Sequence, residues 1–403
     1  MTMHEQFQQA PSGEADIPAA THVVYGPEKA FSAINAEIDA LGATSVFLIT
    51  GRSLGGSALV ARFKEVLGAR LCGHYGLMGE HSPRSIVVAA ARRATAAGAD
   101  LLVGIGGGST IIGTKGVALV MAEGEDLDKL RAIYDYKTQK ITVPRLTGKK
   151  PPVIAIPTTL TSGEFSSAMG IRDDATGAKD IFIDPAVVPR TVILDPVMTT
   201  ATPARLWAST GVKALQNGIE RYYARNANPF IEGLCLEAIR NVFRYLERSL
   251  QNPEDMDARG RLQFLNWMTA FGAGKGGIGL GHGICHQLGA VSGISHGISG
   301  CIVLPHMMRF NRAVTLRRQR DIAHAIGYDG PEATDEELSV WAEAQVRNLV
   351  ARLGLPSRLR EAEVKSDDLP KVAELTLRDR TLSPTPRPPV DAQEILGLLE
   401  EMY

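Results

Sequence analysis

An excess of charge is the first thing missing. The chain has 43 Lys and Arg against 44 Asp and Glu, for a formal net charge of −1 over 403 residues. That balance excludes a basic nucleic-acid surface and an acidic interaction tail. Cysteine is scarce as well: Cys72, Cys235, Cys285 and Cys301 form no CxxC pair and no zinc-ribbon spacing. A disulfide framework and a structural zinc module are excluded, and the four read as reduced, mostly buried thiols of a cytosolic protein. No uninterrupted apolar run is long enough to cross a bilayer. The first twenty residues have no apolar core of the kind a signal peptide needs, so a loosely ordered lead-in is expected over 1–20. What is present, 44% hydrophobic and 22% charged residues, is the composition of a globular protein with a substantial core. The length suits two domains or three.

The stretch GLGHGICHQLGAVSGISHG, Gly279 to Gly297, gathers three of the nine histidines. His282 and His286 are four residues apart, which on a helix puts them on one face about 5–6 Å apart at Cβ. His296 follows ten residues later. Imidazole is the commonest metal ligand and the side chain that titrates nearest neutrality. The same stretch also reads as a small-residue helix lying close against a neighbour, with satisfied histidines inside. Spacing alone leaves both readings open.

Strands and helices alternate in the first half. TSVFLIT (Thr44 to Thr50) is a β-rich apolar run ending at Gly51, and Ser57 to Leu67 has helical spacing. The helical SIVVAAARRATAAGAD is followed by the strand LLVGI and then by GGGST. PVIAIP runs directly into Thr158 and Thr159. This alternation predicts an α/β domain over 21–199 with a parallel, Rossmann-like sheet that binds its ligand at the carboxyl ends of the strands. Gly106, Gly107, Gly108 and Ser109 sit at such an end, where backbone N–H groups and a helix N-terminus can receive a pyrophosphate. The stretch is not GxGxxG, and a tight turn is its plainer reading. Thr158, Thr159 and Ser162 either add hydroxyls to that ligand or cap a turn. After the first strand, Gly51 and Arg52 stand where an NAD site often has a carboxylate for the ribose 2′-hydroxyl. Its absence, with an Arg adjacent, favours NADP(H) over NAD(H).

Strand signals nearly vanish after VILDP (Val192 to Pro196). Thr202 and Pro203 open a helix through ARLWASTGVKALQNGIERYYA, and further helices are expected over Phe230 to Leu250, Arg259 to Ala273, Val340 to Leu353 and Ala392 to Met402. An all-α domain therefore covers 200–403, with the boundary near Pro196 to Pro203. SPTPRPP (Ser383 to Pro389) reads as a rigid link to the final helix.

Several motifs occur together and in order: GGGST with Lys115, IPTT (Ile156 to Thr159), the segment from Lys179 through DPAVVP to LDP, STGVKALQNGIE (Ser209 to Glu220), GLGHGICHQLG, SHG, and LPHMMRFN (Leu304 to Asn311). In these the chain resembles the iron-containing, or group III, alcohol dehydrogenases, and its PRPP ending resembles the maleylacetate reductase branch. The resemblance spans nearly the whole chain after the lead-in. It implies the dehydroquinate synthase-like architecture, with an N-terminal dinucleotide-binding domain, a helical domain and an active site in the cleft between them. It also implies that Lys179 belongs to the cofactor site and that His286 lies near the nicotinamide, as a proton relay or an orienting group. His306 is expected to be structural.

Metal-dependent relatives hold Fe or Zn with an Asp and a His four residues apart and two later histidines. The later pair falls on His282 and His296, but the earlier pair falls on Lys213 and Asn217. Asn217 offers a weak neutral oxygen, and a protonated Lys213 has no acceptor. At about 4 Å and an effective dielectric near 20, the repulsion costs about 4 kcal/mol per unit of metal charge. No tightly bound metal is expected. The Lys213 ammonium instead stands in for it as the electrophile that stabilises a developing alkoxide, or as its proton donor; a Schiff base is a further option. The bland alternative makes Lys213, Asn217 and Glu220 the solvated stripe of an amphipathic helix.

The resulting expectation is a cytoplasmic, homodimeric NAD(P)(H)-dependent reductase of a small oxo acid, ketone or aldehyde, with no nucleic-acid or membrane partner. The rivals are a metal-dependent alcohol dehydrogenase, a non-redox cyclase or lyase such as dehydroquinate synthase, and a binding protein that has lost catalysis.

Overall fold

The computed structural model describes residues 22–135, 138, 140–270 and 278–403. The lead-in expected over 1–20 and the end of the helix expected to reach Ala273 lie outside the described residues. The chain divides into two compact units: a sheet unit up to Pro203 that also takes in Asn252–Gln263, and a helical unit of Ala204–Gln251 and Phe264–Tyr403.

The sheet unit has strands β1 (His22–Tyr25), β2 (Val46–Gly51), β3 (Leu71–Met78), β4 (Leu101–Gly106), β5 (Ile133–Asp135), β6 (Lys140–Thr142), β7 (Val153–Pro157), β8 (Ala168–Arg172), β9 (Lys179–Ile183) and β10 (Thr191–Leu194). Six of them form one sheet in the order β1-β10-β7-β4-β2-β3, every neighbour parallel. β2, β4, β7 and β10 are buried almost end to end, as unbroken Val/Ile/Leu runs require when helices cover both faces. Helices α1 (Ala58–Leu67), α2 (Arg84–Ala96) and α3 (Gly108–Glu123) are the crossovers. α1 begins where the Ser57 hydroxyl accepts the Val60 N–H. Two antiparallel hairpins, β5–β6 and β8–β9, stand apart from the sheet. Neither was expected from the sequence.

The helical unit contains α4 (Ala204–Tyr222), α5 (Pro229–Gln251), α7 (Leu280–Ser292), α8 (His296–Ile326), α9 (Asp335–Arg352), α10 (Leu369–Thr376) and α11 (Ala392–Met402); α6 (Met256–Ala270) begins within Asn252–Gln263. Several elements depart from the sequence expectation: α6 starts three residues before Arg259, and α8 and α10 were not among the helices expected. α9 starts five residues before Val340 because Thr334 and Glu337 form a capping box. α8 runs 31 residues in spite of Pro305, with its break at Thr315 (φ −134°). One apolar core joins α7 and α8 to α10 and α11 through Leu280, Ile284, Leu288, Val303, Val372 and Leu399.

Candidate active site

The sheet unit gathers one group of the predicted residues at strand ends. β4 closes with Gly106 at φ +153°, a backbone conformation that strains any L side chain, and Gly107 precedes α3 in extended backbone. A Cβ on Gly107 would lie 3.2 Å from Thr159 Oγ1, and one on Gly108 3.1 Å from Thr161 Cγ2. The bare backbone is therefore what lets the turn pass under the Thr158–Ser162 loop. The Thr158 N–H donates to the Gly106 carbonyl at 2.9 Å, and the Thr158 carbonyl accepts the Thr202 hydroxyl at 2.7 Å.

Thr159 differs from its neighbours. It is buried, and its hydroxyl has no hydrogen-bond partner. An orphaned polar atom beside a helix N-terminus is chemistry that suits a phosphate. Ser109 is already engaged: its hydroxyl accepts the His81 N–H at 3.0 Å, and its carbonyl accepts the Ser82 hydroxyl. Ser162 opens the 3₁₀ turn Gly163–Phe165 without a side-chain cap. Gly51 ends β2 within the same set of strand ends, and Arg52, next in the chain, is exposed. Lys179 begins β9 opposite Arg172 of β8, and the Arg172 N–H donates to the His81 carbonyl. Lys179 thus belongs to the hairpin bordering the turn that holds Ser109.

Lys115, about two turns into α3, has another task. Its ammonium is fully buried and donates to the carbonyls of Gly163 (3.0 Å), Ser166 (2.5 Å) and Ala168 (3.0 Å). Those three bonds fix the loop that carries Thr159 and Ser162. Burial pulls Lys115 down to about 7 and pushes the nearby, fully buried Glu164 up to about 8.

The helical unit gathers the second group. Lys213 Nζ donates to Asn217 Oδ1 at 2.8 Å and touches His282 Nε2. His282 Nε2 is also 2.9 Å from Asn217 Oδ1, and its Nδ1 bonds Glu220 Oε2 at 2.8 Å. The Gln216 amide donates to the other Glu220 oxygen at 3.1 Å. None of this is a solvated stripe: Asn217 is 3%, Glu220 1% and His282 1% exposed. Burial holds the His282 imidazole well below its usual range, the Lys213 charge adding to the effect, and pushes Glu220 up to about 7.

The three histidines close a triangle. Ring centroids are 6.4 Å apart for His282–His286, 5.5 Å for His282–His296 and 5.4 Å for His286–His296, the last pair stacked. His296 is the first residue of α8, where Ser295 caps the helix by accepting the Ile298 N–H. The small-residue reading of the glycine-rich stretch accounts for this packing. A Cβ on Gly281 would fall 1.9 Å from Glu220 Oε1, and one on Gly300 2.8 Å from Gln216 Oε1. The glycines allow α7 and α8 to approach α4 closely enough for its carboxylate to reach an imidazole.

Two participants were not anticipated, Gln216 and Asp379. Asp379 Oδ2 bonds His286 Nδ1 and the Gln287 amide, each at 3.0 Å. Burial alone would raise this carboxyl, but His286 and the Thr381 donors outweigh that and hold it at about 2. No local signal marks Asp379, which lies 93 residues from its partner. His306 is buried, accepts from Arg309 at 3.2 Å, and is lowered to about 4 by burial.

The family resemblance implies a divalent ion near Lys213. The donors there do not fit one. Nζ already contacts His282 Nε2, the imidazole nitrogen an ion would need, and Asn217 Oδ1 is taken by the same amine. Among the described residues no group of three or more His, Cys, Asp or Glu is arranged to hold a metal.

Comparison with known proteins agrees with the fold. Residues 20–196 match the family described as iron-containing alcohol dehydrogenase, and residues 207–403 match the C-terminal part of the Fe-containing alcohol dehydrogenase family. The chain is 30% identical over 289 residues to the NAD-dependent methanol dehydrogenase of Bacillus methanolicus, 72% of this chain and 73% of that one. It is 29% identical over 391 residues to a maleylacetate reductase of Burkholderia cepacia, 97% of each. A crystal structure of 1,3-propanediol oxidoreductase shares the fold, with a TM-score of 0.88 at 24% identity, covering 97% of this chain and 100% of that one.

Proposed function

Because the chain belongs to the iron-containing alcohol dehydrogenase family and is an oxidoreductase acting on alcohols or carbonyls, we propose that it is an NAD(P)H-dependent reductase of a small oxo acid, ketone or aldehyde that works without a metal. The observation that carries this reading is the contact of Lys213 Nζ with both Asn217 Oδ1 and His282 Nε2. A bound nicotinamide would supply the hydride.

The chain's own groups do the rest. Asn217 and His282 hold Lys213 by its own N–H bonds, so its positive charge is fixed before substrate arrives. With Glu220 ionised, His282 keeps its proton on Nδ1 and accepts from Lys213 through Nε2. A neutral imidazole leaves the amine protonated, able to polarise a carbonyl oxygen and then to give that oxygen a proton. His286 relays a replacement proton, and His296 completes the pocket wall.

For the cofactor, the Gly106–Gly108 turn, the orphaned Thr159 hydroxyl and Lys179 fit a pyrophosphate, and the exposed Arg52 suits a 2′-phosphate. NADPH is the favoured donor. The cytoplasm fits the free cysteines of the described residues, and a homodimer fits the outer edge of β1, which among the described residues pairs only with β10.

A screen of oxo acids and aldehydes that follows nicotinamide absorbance supplies the substrate. On that substrate Lys213→Ala should lower kcat about 10²–10³-fold, the loss typical when an oxyanion donor is removed, with cofactor affinity retained. Protein purified without added metal should turn over fully and contain no stoichiometric Fe or Zn. Activity abolished by a chelator and restored by Fe or Zn would refute the metal-free reading. A higher kcat/KM with NADH than with NADPH would refute the role given to Arg52.

A further inference from the structure

We infer that Asp379 is the positioning residue that fixes His286 with its ring proton on Nδ1, leaving Nε2 as the acceptor through which protons are taken from solvent. This rests on the reading of His286 as a relay.

The geometry of Asp379 is fully committed. One oxygen, Oδ1, accepts both the backbone N–H and the hydroxyl of Thr381, at 2.9 and 2.8 Å. The other, Oδ2, faces His286 Nδ1 and the Gln287 amide. A carboxylate only accepts, so the ring nitrogen facing it must carry the proton. His286 Nε2 is then the one ring atom with a lone pair.

The position of His286 in the cluster gives that lone pair its use. Its side chain is 33% exposed, while that of His282 is 1% exposed. Of the two histidines on α7, only His286 has substantial access to water. A proton from water can add at Nε2, making an imidazolium whose Nδ1–H stays on Asp379. When the Nε2 proton passes inward, the neutral ring and the carboxylate are restored. The ring cannot rotate to exchange its nitrogens without breaking the Asp379 bond, and its stacking on His296 keeps it in place. The plainer role of Asp379 is to cap the 3₁₀ turn Arg380–Leu382. That role uses Oδ1 and does not require Oδ2 to face an imidazole.

Asp379→Asn separates the two roles. The Thr381 donors keep the amide oxygen at the Oδ1 position, so the cap survives. The amide NH₂ then faces Nδ1 and forces the ring proton onto Nε2, which removes the acceptor.

Nitrogen-15 NMR of the full chain labelled at histidine reads the tautomer, with His286→Gln assigning the resonance. The wild type should show His286 as the Nδ1–H tautomer, and Asp379→Asn should show it as Nε2–H. On the substrate found by the carbonyl screen, Asp379→Asn should lower kcat about 10- to 100-fold, by analogy with the partners that orient metal-ligating histidines, with cofactor Kd unchanged. Thr381→Val, which loses one cap bond only, should alter neither kcat nor the tautomer.

A wild-type His286 already protonated on Nε2 overturns the proposal, and needs no variant to fold. A tautomer switch in Asp379→Asn without loss of kcat also overturns it. So does a fall in kcat for Thr381→Val as large as for Asp379→Asn. If no carbonyl is reduced by the wild type, the proposed function fails, while the tautomer measurements on the resting protein still decide the role of Asp379.

Discussion

Lys115 and Lys213 both lie on glycine-containing helices within family motifs, and each has a buried glutamate close by. Their partners separate them. Lys115 gives its three protons to the carbonyls of Gly163, Ser166 and Ala168. Main-chain carbonyls at neutral pH only accept, so that ammonium is a fastener. Lys213 meets an amide oxygen and an imidazole nitrogen, with a carboxylate on the far side of the ring. Of these, the imidazole and the carboxylate can each take up or release a proton, as a main-chain carbonyl cannot. On the proposed reading, the chemistry of its partners is what separates Lys213 from the structural Lys115.

The comparison predicts a crossing of effects. Lys213→Met should cost less stability than Lys115→Met, about 1–3 kcal/mol for the acceptors it leaves, and remove activity to the extent given for Lys213→Ala. Lys115→Met should do the reverse. It leaves three carbonyls without their donor and a buried carboxyl without its neighbouring positive charge, at about 3–5 kcal/mol by analogy with breaking one side of a buried ion pair. Chemical denaturation measures it. Protein that does fold should keep kcat, because Lys115 touches no reacting group. If Lys115→Met loses kcat at full stability, or Lys213→Met loses stability at full kcat, the two roles have been assigned the wrong way round.

The sheet was largely legible in the sequence, because its physics is local. A strand buried on both faces must be an unbroken apolar run, and β2, β4 and β7 are such runs. The Gly106–Gly108 turn shows itself through the lack of side chains. The helical site was legible in part. The four-residue spacing of His282 and His286 identifies a helix face, and the exchange at Lys213 and Asn217 is visible by resemblance. What pairs with those residues was not. Glu220 reads as a solvated charge on its own helix, and it is buried only because Gly281, 61 positions later, leaves room for its carboxylate. Asp379 looks like any turn-capping aspartate. Lys179 could be placed only by resemblance, since the β8–β9 hairpin that carries it had no recognised pattern. Contacts between distant segments have no period, and a period is what the sequence offers.

The smallest expected effect carries the comparison to a neutral group. Thr159 lies on the loop that Lys115 fastens, and its buried hydroxyl lacks a partner, unlike the satisfied ammonium beneath it. In the free protein an unmade hydrogen bond costs about 1–3 kcal/mol of desolvation. Thr159→Val keeps the shape and removes that cost, so the free protein should gain stability, by about 1 kcal/mol at the low end of that range. Cofactor affinity should fall by about tenfold, the equivalent of one lost hydrogen bond to a charged group at 1.4 kcal/mol per decade. Opposite signs in the two measurements would mark a hydroxyl kept for a ligand at the expense of the fold. A loss of stability with unchanged affinity would mean that Thr159 serves the loop alone, as Lys115 does.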